Sequence, residues 1–337
     1  MKLISGRLIG GRQLLVWLVV ATPLILVSGI LLGPTWISPL GDWTAQDQMI
    51  LQQIRLPRVL LTALIGAVLA MSGAVLQGLF RNPLADPSLI GVSAGASVGA
   101  SAAILFGLNW MSFGGLVGLS SVAIGAFLGG MAAVLLVYRL ATGPEGTSVP
   151  TMLLVGIAIT ALAGAANNLM SLLADNEMLR RMSLWLMGNL DLANWNRVVI
   201  CSVMLLAFLL LLRGQAASLN AFLLGESEAK HLGIDVDRIK ARLVFLTALG
   251  VGIGTALVGT IAFVGLIVPH MVRLISGPDH RTLIPSSGIL GALFLVFADL
   301  ISRLVLAPAE LPVGIITAFL GVPFFIFLLI QQRGRLL

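Results

Sequence analysis

An all-α, polytopic membrane protein is predicted by three observations. Apolar residues make up 58% of the 337-residue chain, charged residues only 10%, and the apolar residues fall in runs of bilayer-spanning length. A soluble domain of ordinary composition carries roughly 25% charged residues. Mean hydropathy is +1.05, and no soluble core could hide that much apolar sequence, because a folded domain always leaves a surface over. Hydrocarbon about 30 Å thick is crossed by a helix of ~20 residues. The chain, residues 1–337, therefore reads as a single transmembrane domain with about ten transmembrane helices and short loops.

Apolar runs fall at about 14–33, 58–79, 88–108, 116–140, 151–173, 198–212, 242–262, 263–276, 284–304 and 313–330. The first follows Lys2, Arg7 and Arg12. It is longer than a signal-peptide core and no A-x-A-like site follows, so it reads as an uncleaved span. The eighth run is short and contains Pro269, which leaves nine spans as the alternative count.

Basic residues set orientation. With the N-terminus inside, Arg81, Arg139, Arg213, Lys230, Arg238, Lys240, Arg242, Arg281, Arg333 and Arg335 fall in cytoplasmic loops. Arg55, Arg58, Arg180, Arg181, Arg197 and Arg303 fall outside, an anomaly that function has to explain. The net charge of +6 is not a nucleic-acid signature, since no basic stripe is interleaved with aromatics.

Glycine is abundant, 38 residues. Gly91, Gly95 and Gly99 form one small-residue stripe and Gly125 and Gly129 another, spacing that lets helix backbones approach closely. Two loops stand out. Segment 171–196 is amphipathic and carries Trp185 and Trp195, residues favoured at the membrane interface. Segment 214–241 is the longest charged stretch and predicts one or two short helices broken at Gly225 and Gly233, a docking surface on the cytoplasmic side. The heptapeptide opening at Arg58 resembles the stretch opening at Arg242, the pattern expected of an inverted internal repeat.

Several chemistries are absent from the sequence. There is no phosphate-binding GxxxxGK[ST] loop, no HExxH and no GxSxG. The lone Cys201 has no disulfide partner, and His231, His270 and His280 are not at metal-ligand spacing, so no metal site is expected. Asp299 lies inside an apolar run, either as a functional intramembrane acid or as the partner of Arg303 one helical turn on. A membrane enzyme would need a cluster of acids or a nucleophile. A stand-alone secondary transporter would be expected to show more embedded titratable groups than Asp299.

The run RLPRVLLTALIGAVLAMSGAVLQGLFRNPLADPSLIGVSAGASVGA, residues 55–100, resembles the hallmark of the FecCD/BtuC family of ABC importer permeases. So do FLLGESEAKHLGID (222–235), GTIAFVGLIVPHMVRLISGPDHRTLIP (259–285) and FADLISRLVLAPAELPVGIITAFLGVPFFIFLL (297–329). The resemblance runs in order over almost the whole chain. It implies the BtuC-like permease fold, a homodimer with the pathway at its interface, two cytoplasmic ATPase subunits and a periplasmic or lipid-anchored binding protein. ATP is then bound by the partner subunit, with no cofactor in this chain. The chain would be a multi-pass protein of the cell inner membrane with both termini cytoplasmic.

Residue by residue, the resemblance implies that Arg55, Arg58 and Arg303 receive acids of the binding protein. Gly225, Glu226 and Gly233 would dock the ATPase, and Asn82, Leu84, Thr147 and Ser148 would form the cytoplasmic gate. Arg180 and Arg181, in an outer loop, are candidates for the mouth of the pathway and would suit an anionic cargo. The family carries ferric siderophores, haem or cobalamin on one architecture, so fold does not decide the cargo. An iron chelate is the expectation, with cobalamin as the alternative.

Overall fold

A computed structural model describes residues 9–35, 37, 43–107, 121–144 and 146–333. Lys2, Arg7, Arg335, residue 108 and residues 116–120 of the predicted runs lie outside the described residues. Every predicted run becomes a helix. Among the described residues, seven helices are long and apolar enough to cross a membrane, and three shorter apolar ones accompany them.

In chain order, α1 is Gly11–Leu31. Next, α2 (Ala45–Met49) passes through a π-helical stretch, Ile50–Arg55, straight into α3 (Leu56–Leu79). This helix begins well before the apolar run because Thr44 and Asp47 cap it reciprocally. Thr44 Oγ1 accepts from Asp47 N at 3.2 Å, and Asp47 Oδ2 accepts from Thr44 N at 3.0 Å. Then come α4 (Val92–Leu105), α5 (Ser121–Ala141), a two-stranded hairpin of β1 (Thr142–Gly143) and β2 (Gly146–Thr147), and α6 (Val149–Leu173). The amphipathic segment is α7 (Asn176–Leu186), followed by α8 (Trp195–Leu212). The charged loop folds as α9 (Gln215–Phe222) and α10 (Glu226–His231), broken at Gly225 and Gly233 as expected. Last are α11 (Val236–Val258), α12 (Val264–Ser276), α13 (His280–Leu304) and α14 (Val313–Arg333).

The inverted repeat is visible in this order. Helices α3 to α6 and α11 to α14 each run long, short, long, long, and each short helix is preceded by an unwound stretch. Residues 80–91 fold back into the bundle and end on Gly91, left-handed at φ 79°. Residues 259–263 do the same from the opposite end and finish on Phe263, left-handed at φ 69°. A bulky residue pays steric cost in that region, and such positions mark constrained segments. The first helix of each repeat packs on the second and third of the other: α3 on α12 and α13, α11 on α4 and α5.

Glycines make these contacts possible. Gly95 and Gly99 of α4 meet Gly129 and Gly125 of α5 backbone to backbone, and Gly66 meets Gly291 likewise. Gly73 of α3 lies on the carbonyl of Gly265, where a Cβ would overlap it. Gly91, the third member of the predicted stripe, does not pack with the others but supplies the left-handed cap of α4.

The bundle has two distinct ends. The start of α3, the end of α13 and α7 mark the arginine end; the β-hairpin with α9 and α10 marks the hairpin end.

Candidate functional site

A cavity of about 820 Å³ lies where the two unwound stretches come together. Small-molecule sites span roughly 300–1,000 Å³. Ser88 and Leu89 come from the first stretch and Thr260 and Ala262 from the second. Gly156, Ile157 and Thr160 of α6 and Gly314, Ile315 and Ala318 of α14 complete two of its walls. The walls are thus drawn from equivalent parts of both repeats. Gly156 is required, since its Cα lies against the carbonyl of Leu89. Among the described residues, none that lines it carries a charged side chain. Thr260 Oγ1 is buried with no partner, while Thr160 spends its hydroxyl on Gly156 O at 2.8 Å. The free faces of α6 and α14 expose Leu154, Ile157, Leu162 and Phe319, an apolar surface alongside the cavity.

The arginine end gathers Arg55, Arg58 and Arg303, as the resemblance implies, but not as free surface cations. All three are buried. Arg58 Nη2 lies 2.9 Å from Asp299 Oδ1, and Arg58 Nη1 lies 2.7 Å from Glu310 Oε2 and 3.4 Å from Asp191 Oδ1. Arg303 Nε is 3.1 Å from Asp299 Oδ2, so the one-turn pairing of these two is realised. Arg303 Nη2 also donates to Gly29 O at 3.0 Å, and Arg55 Nη1 donates to Leu31 O at 2.8 Å. Two of the expected docking cations therefore cap the last turn of α1, whose carbonyls have no helical partner. A charge cannot stay in a low-dielectric interior unpaired, and Asp299, with no exposure at all, answers two arginines at once. Glu310, on the loop after α13, is held above the ordinary carboxyl range by burial; Arg58 opposes that shift and the neighbouring Asp191 adds to it.

At the hairpin end, the predicted gate and docking residues are wired together. Lys240 of α11 is buried, and its Nζ donates to Glu226 Oε2 at 2.7 Å and to Thr147 O at 2.8 Å. Thr147 N donates to Asp237 Oδ1 at 3.2 Å. Ser148 caps α6, its Oγ accepting from Thr151 N at 3.4 Å. Gly225, at φ 127°, and Gly233, at φ 79°, bracket α10 at conformations that favour glycine. A second tie holds α9: Asn220 Nδ2 donates to Asp279 Oδ1 at 2.7 Å, and Asn220 Oδ1 accepts from His280 N at 2.9 Å. The bond from Asn220, and after it the bond from the Arg281 backbone N–H at 3.0 Å, hold the Asp279 carboxyl below its ordinary range. Asn82 and Leu84 sit in the turn after α3, where Asn82 Oδ1 accepts from Leu84 N at 3.0 Å.

Arg180 and Arg181 are exposed on α7. Neither lines the large cavity; Arg181 borders a separate one of about 510 Å³ with Arg197. Sequence reasoning missed Lys240, Asp191 and Glu310 as functional partners. Lys240 could have been found, because it lies on the buried stripe of Val236, Leu243, Val244 and Thr247. Asp191 and Glu310 lie in loops and meet Arg58 only through chain reversal, 133 and 252 residues away. Among the described residues no cluster of His, Cys, Asp or Glu could hold a metal.

Broken helices from two inverted repeats meeting in a central cavity define a membrane transport protein. Residues 15–331 match the profile of the FecCD transport family, and the chain belongs to that family. It is similar to the hemin transport system permease protein HmuU of Yersinia pestis, 43% identical over 84% of this chain and 83% of that protein. Similarity to the cobalamin import permease BtuC of Halobacterium salinarum is 44% over 86% of this chain and 76% of that protein. The vitamin B12 import permease BtuC of Vibrio cholerae is 40% identical over 92% and 91%. A solved inward-facing structure of a metal-chelate type ABC transporter superposes with a TM-score of 0.85 at 31% identity, covering 95% of this chain and 99% of that one. The chain is thus a multi-pass permease of an ABC importer of the FecCD/BtuC type.

Proposed function

We propose that this permease translocates an iron chelate, a ferric siderophore or haem, handed over by a binding protein at the arginine end. The observation that carries the reading is the cavity shared by both repeats, roomy and free of charged side chains. Such walls suit a bulky cargo whose charge is screened within the chelate, and they offer no fixed charge on which it could stall. Two copies pair through the apolar faces of α6 and α14, so that the cavity of each opens onto a common pathway. Two ATPase subunits bind ATP and dock on α9 and α10, placing the hairpin end and both termini in the cytoplasm. Movement of α10 reaches the gate through Glu226, Lys240 and Thr147. Partner carboxylates address Arg58 by taking the place of Glu310, whose side chain is 30% exposed. Charge pairing of this kind gives orientation and fast encounter more than affinity.

Cobalamin is the second reading, favoured by 44% identity to a cobalamin import permease. The test is uptake into proteoliposomes containing this chain and its ATPase, with binding protein loaded with haem, a ferric siderophore or cobalamin. Uptake of an iron chelate that requires both ATP and binding protein is expected. Uptake of cobalamin alone would replace the cargo assignment, and uptake without ATP would make the chain a secondary transporter.

A further inference from the structure

Arg197, in the first turn of α8, is a buried cation that no carboxylate among the described residues answers. It is only 8% exposed. Its Nη1 donates to Leu257 O, and its Nε has no partner. No carboxylate pairs with it among the described residues. The other buried cations differ: Arg58, Arg303 and Lys240 each hold a carboxylate, and Arg55 holds carbonyls of residues 30, 31 and 35. A guanidinium taken out of water with an N–H left unpaired is costly, so an anion at this site would be favoured.

The cavity that Arg197 lines, about 510 Å³, lies beneath α7 and shares no residue with the cargo cavity. Arg181 borders it from α7, with the polar Asn189 and the indole of Trp185. Leu184, Leu192 and Val258 give it an apolar side. Asp191 also borders it but lies 3.4 Å from Arg58 Nη1. The flanking helices α5 and α8 expose Leu128, Leu135, Val199 and Val203 along their lengths, so the cavity adjoins lipid. Tryptophans at 185 and 195 suit headgroup depth.

We propose that this cavity binds an acidic phospholipid, its phosphate held between Arg197 and Arg181 and its acyl glycerol on the apolar side. Arginine forks match phosphate oxygens in pairs, and one amphiphile accounts for both the unpaired cation and the apolar wall.

The test is native mass spectrometry of the full-length permease in detergent, titrated with phosphatidylglycerol or phosphatidylcholine of the same chain length. Phosphatidylglycerol is expected to bind roughly tenfold better, the size of a charge-assisted hydrogen bond. Arg197→Gln and Arg181→Gln should each remove most of that preference. Arg181 is exposed, so its variant reports even if the change at Arg197 prevents folding. Equal binding of the two lipids, or an undiminished preference in Arg181→Gln, would overturn the proposal. So would slowed cargo uptake by Arg181→Gln in vesicles of phosphatidylcholine alone, which would assign the arginine pair to the cargo.

Discussion

The two ends of the bundle hold their charges in opposite ways. At the arginine end, Arg58 and Arg303 share Asp299, which is fully buried, and further acceptors from α1 and from two loops join the cluster. At the hairpin end a single buried lysine joins Glu226, whose side chain is 41% exposed on a six-residue helix, to one backbone carbonyl. The first arrangement locks α1, α3 and α13 to one another. The second ties a small, solvent-facing helix to Thr147 by the two bonds of one lysine. One end is an anchor and the other is a joint, which is the division that a machine driven from one side requires.

The sharpest way to break this comparison is Asp299→Ala. It leaves two buried guanidinium groups without their common carboxylate, and loss of one partner of a buried pair costs about 3–5 kcal/mol. Thermal unfolding of the variant in detergent should show that loss, and a shift no larger than that of a surface change would mean that the cluster is not an anchor. Lys240→Met comes next. Glu226 can turn to water, so stability should fall by only about 1 kcal/mol. Binding-protein stimulation of ATP hydrolysis in the assembled complex should nevertheless drop severalfold. Full stimulation would show that the joint lies elsewhere. The smallest effect is expected of Glu310→Gln. A part-exposed pair is worth ~0.2–1 kcal/mol, so binding-protein affinity should rise about threefold while the unfolding temperature barely moves. Weakened binding would mean that Glu310 itself contacts the partner.

Much of this architecture is legible in the sequence because lipid imposes a strong rule: backbone polar groups must be satisfied within each span. The apolar runs therefore give the helices almost one for one, and Gly225 and Gly233 give the breaks of the charged loop. Legibility stops where apolar sequence is not helical. Residues 88–90 and 259–262 lie inside predicted runs yet belong to no α-helix, the first forming a 3-10 turn and the second being unwound, because hydropathy does not distinguish an α-helix from a stretch that folds back within the protein. Gly91 reads as one more member of a packing stripe, although its left-handed backbone is what starts α4. Arg55, Arg58 and Arg303 are legible as a group, but their burial is not. For Arg58 it depends on Asp191 and Glu310, and for Arg55 and Arg303 on carbonyls at the end of α1, none of which a local pattern fixes. His270, one of the three scattered histidines, is buried within α12.

The contact of Gly73 with the carbonyl of Gly265 carries one more consequence, for how such a protein can change over generations. A glycine codon altered at its first or second base yields a larger residue or a stop, and every larger residue puts a carbon where that oxygen already sits. The frame is therefore closed to gradual revision at this contact. The cavity walls at Ile157, Ile315 and Ala318 meet no such barrier, and they are free to drift towards a new cargo while the frame around them stays as it is.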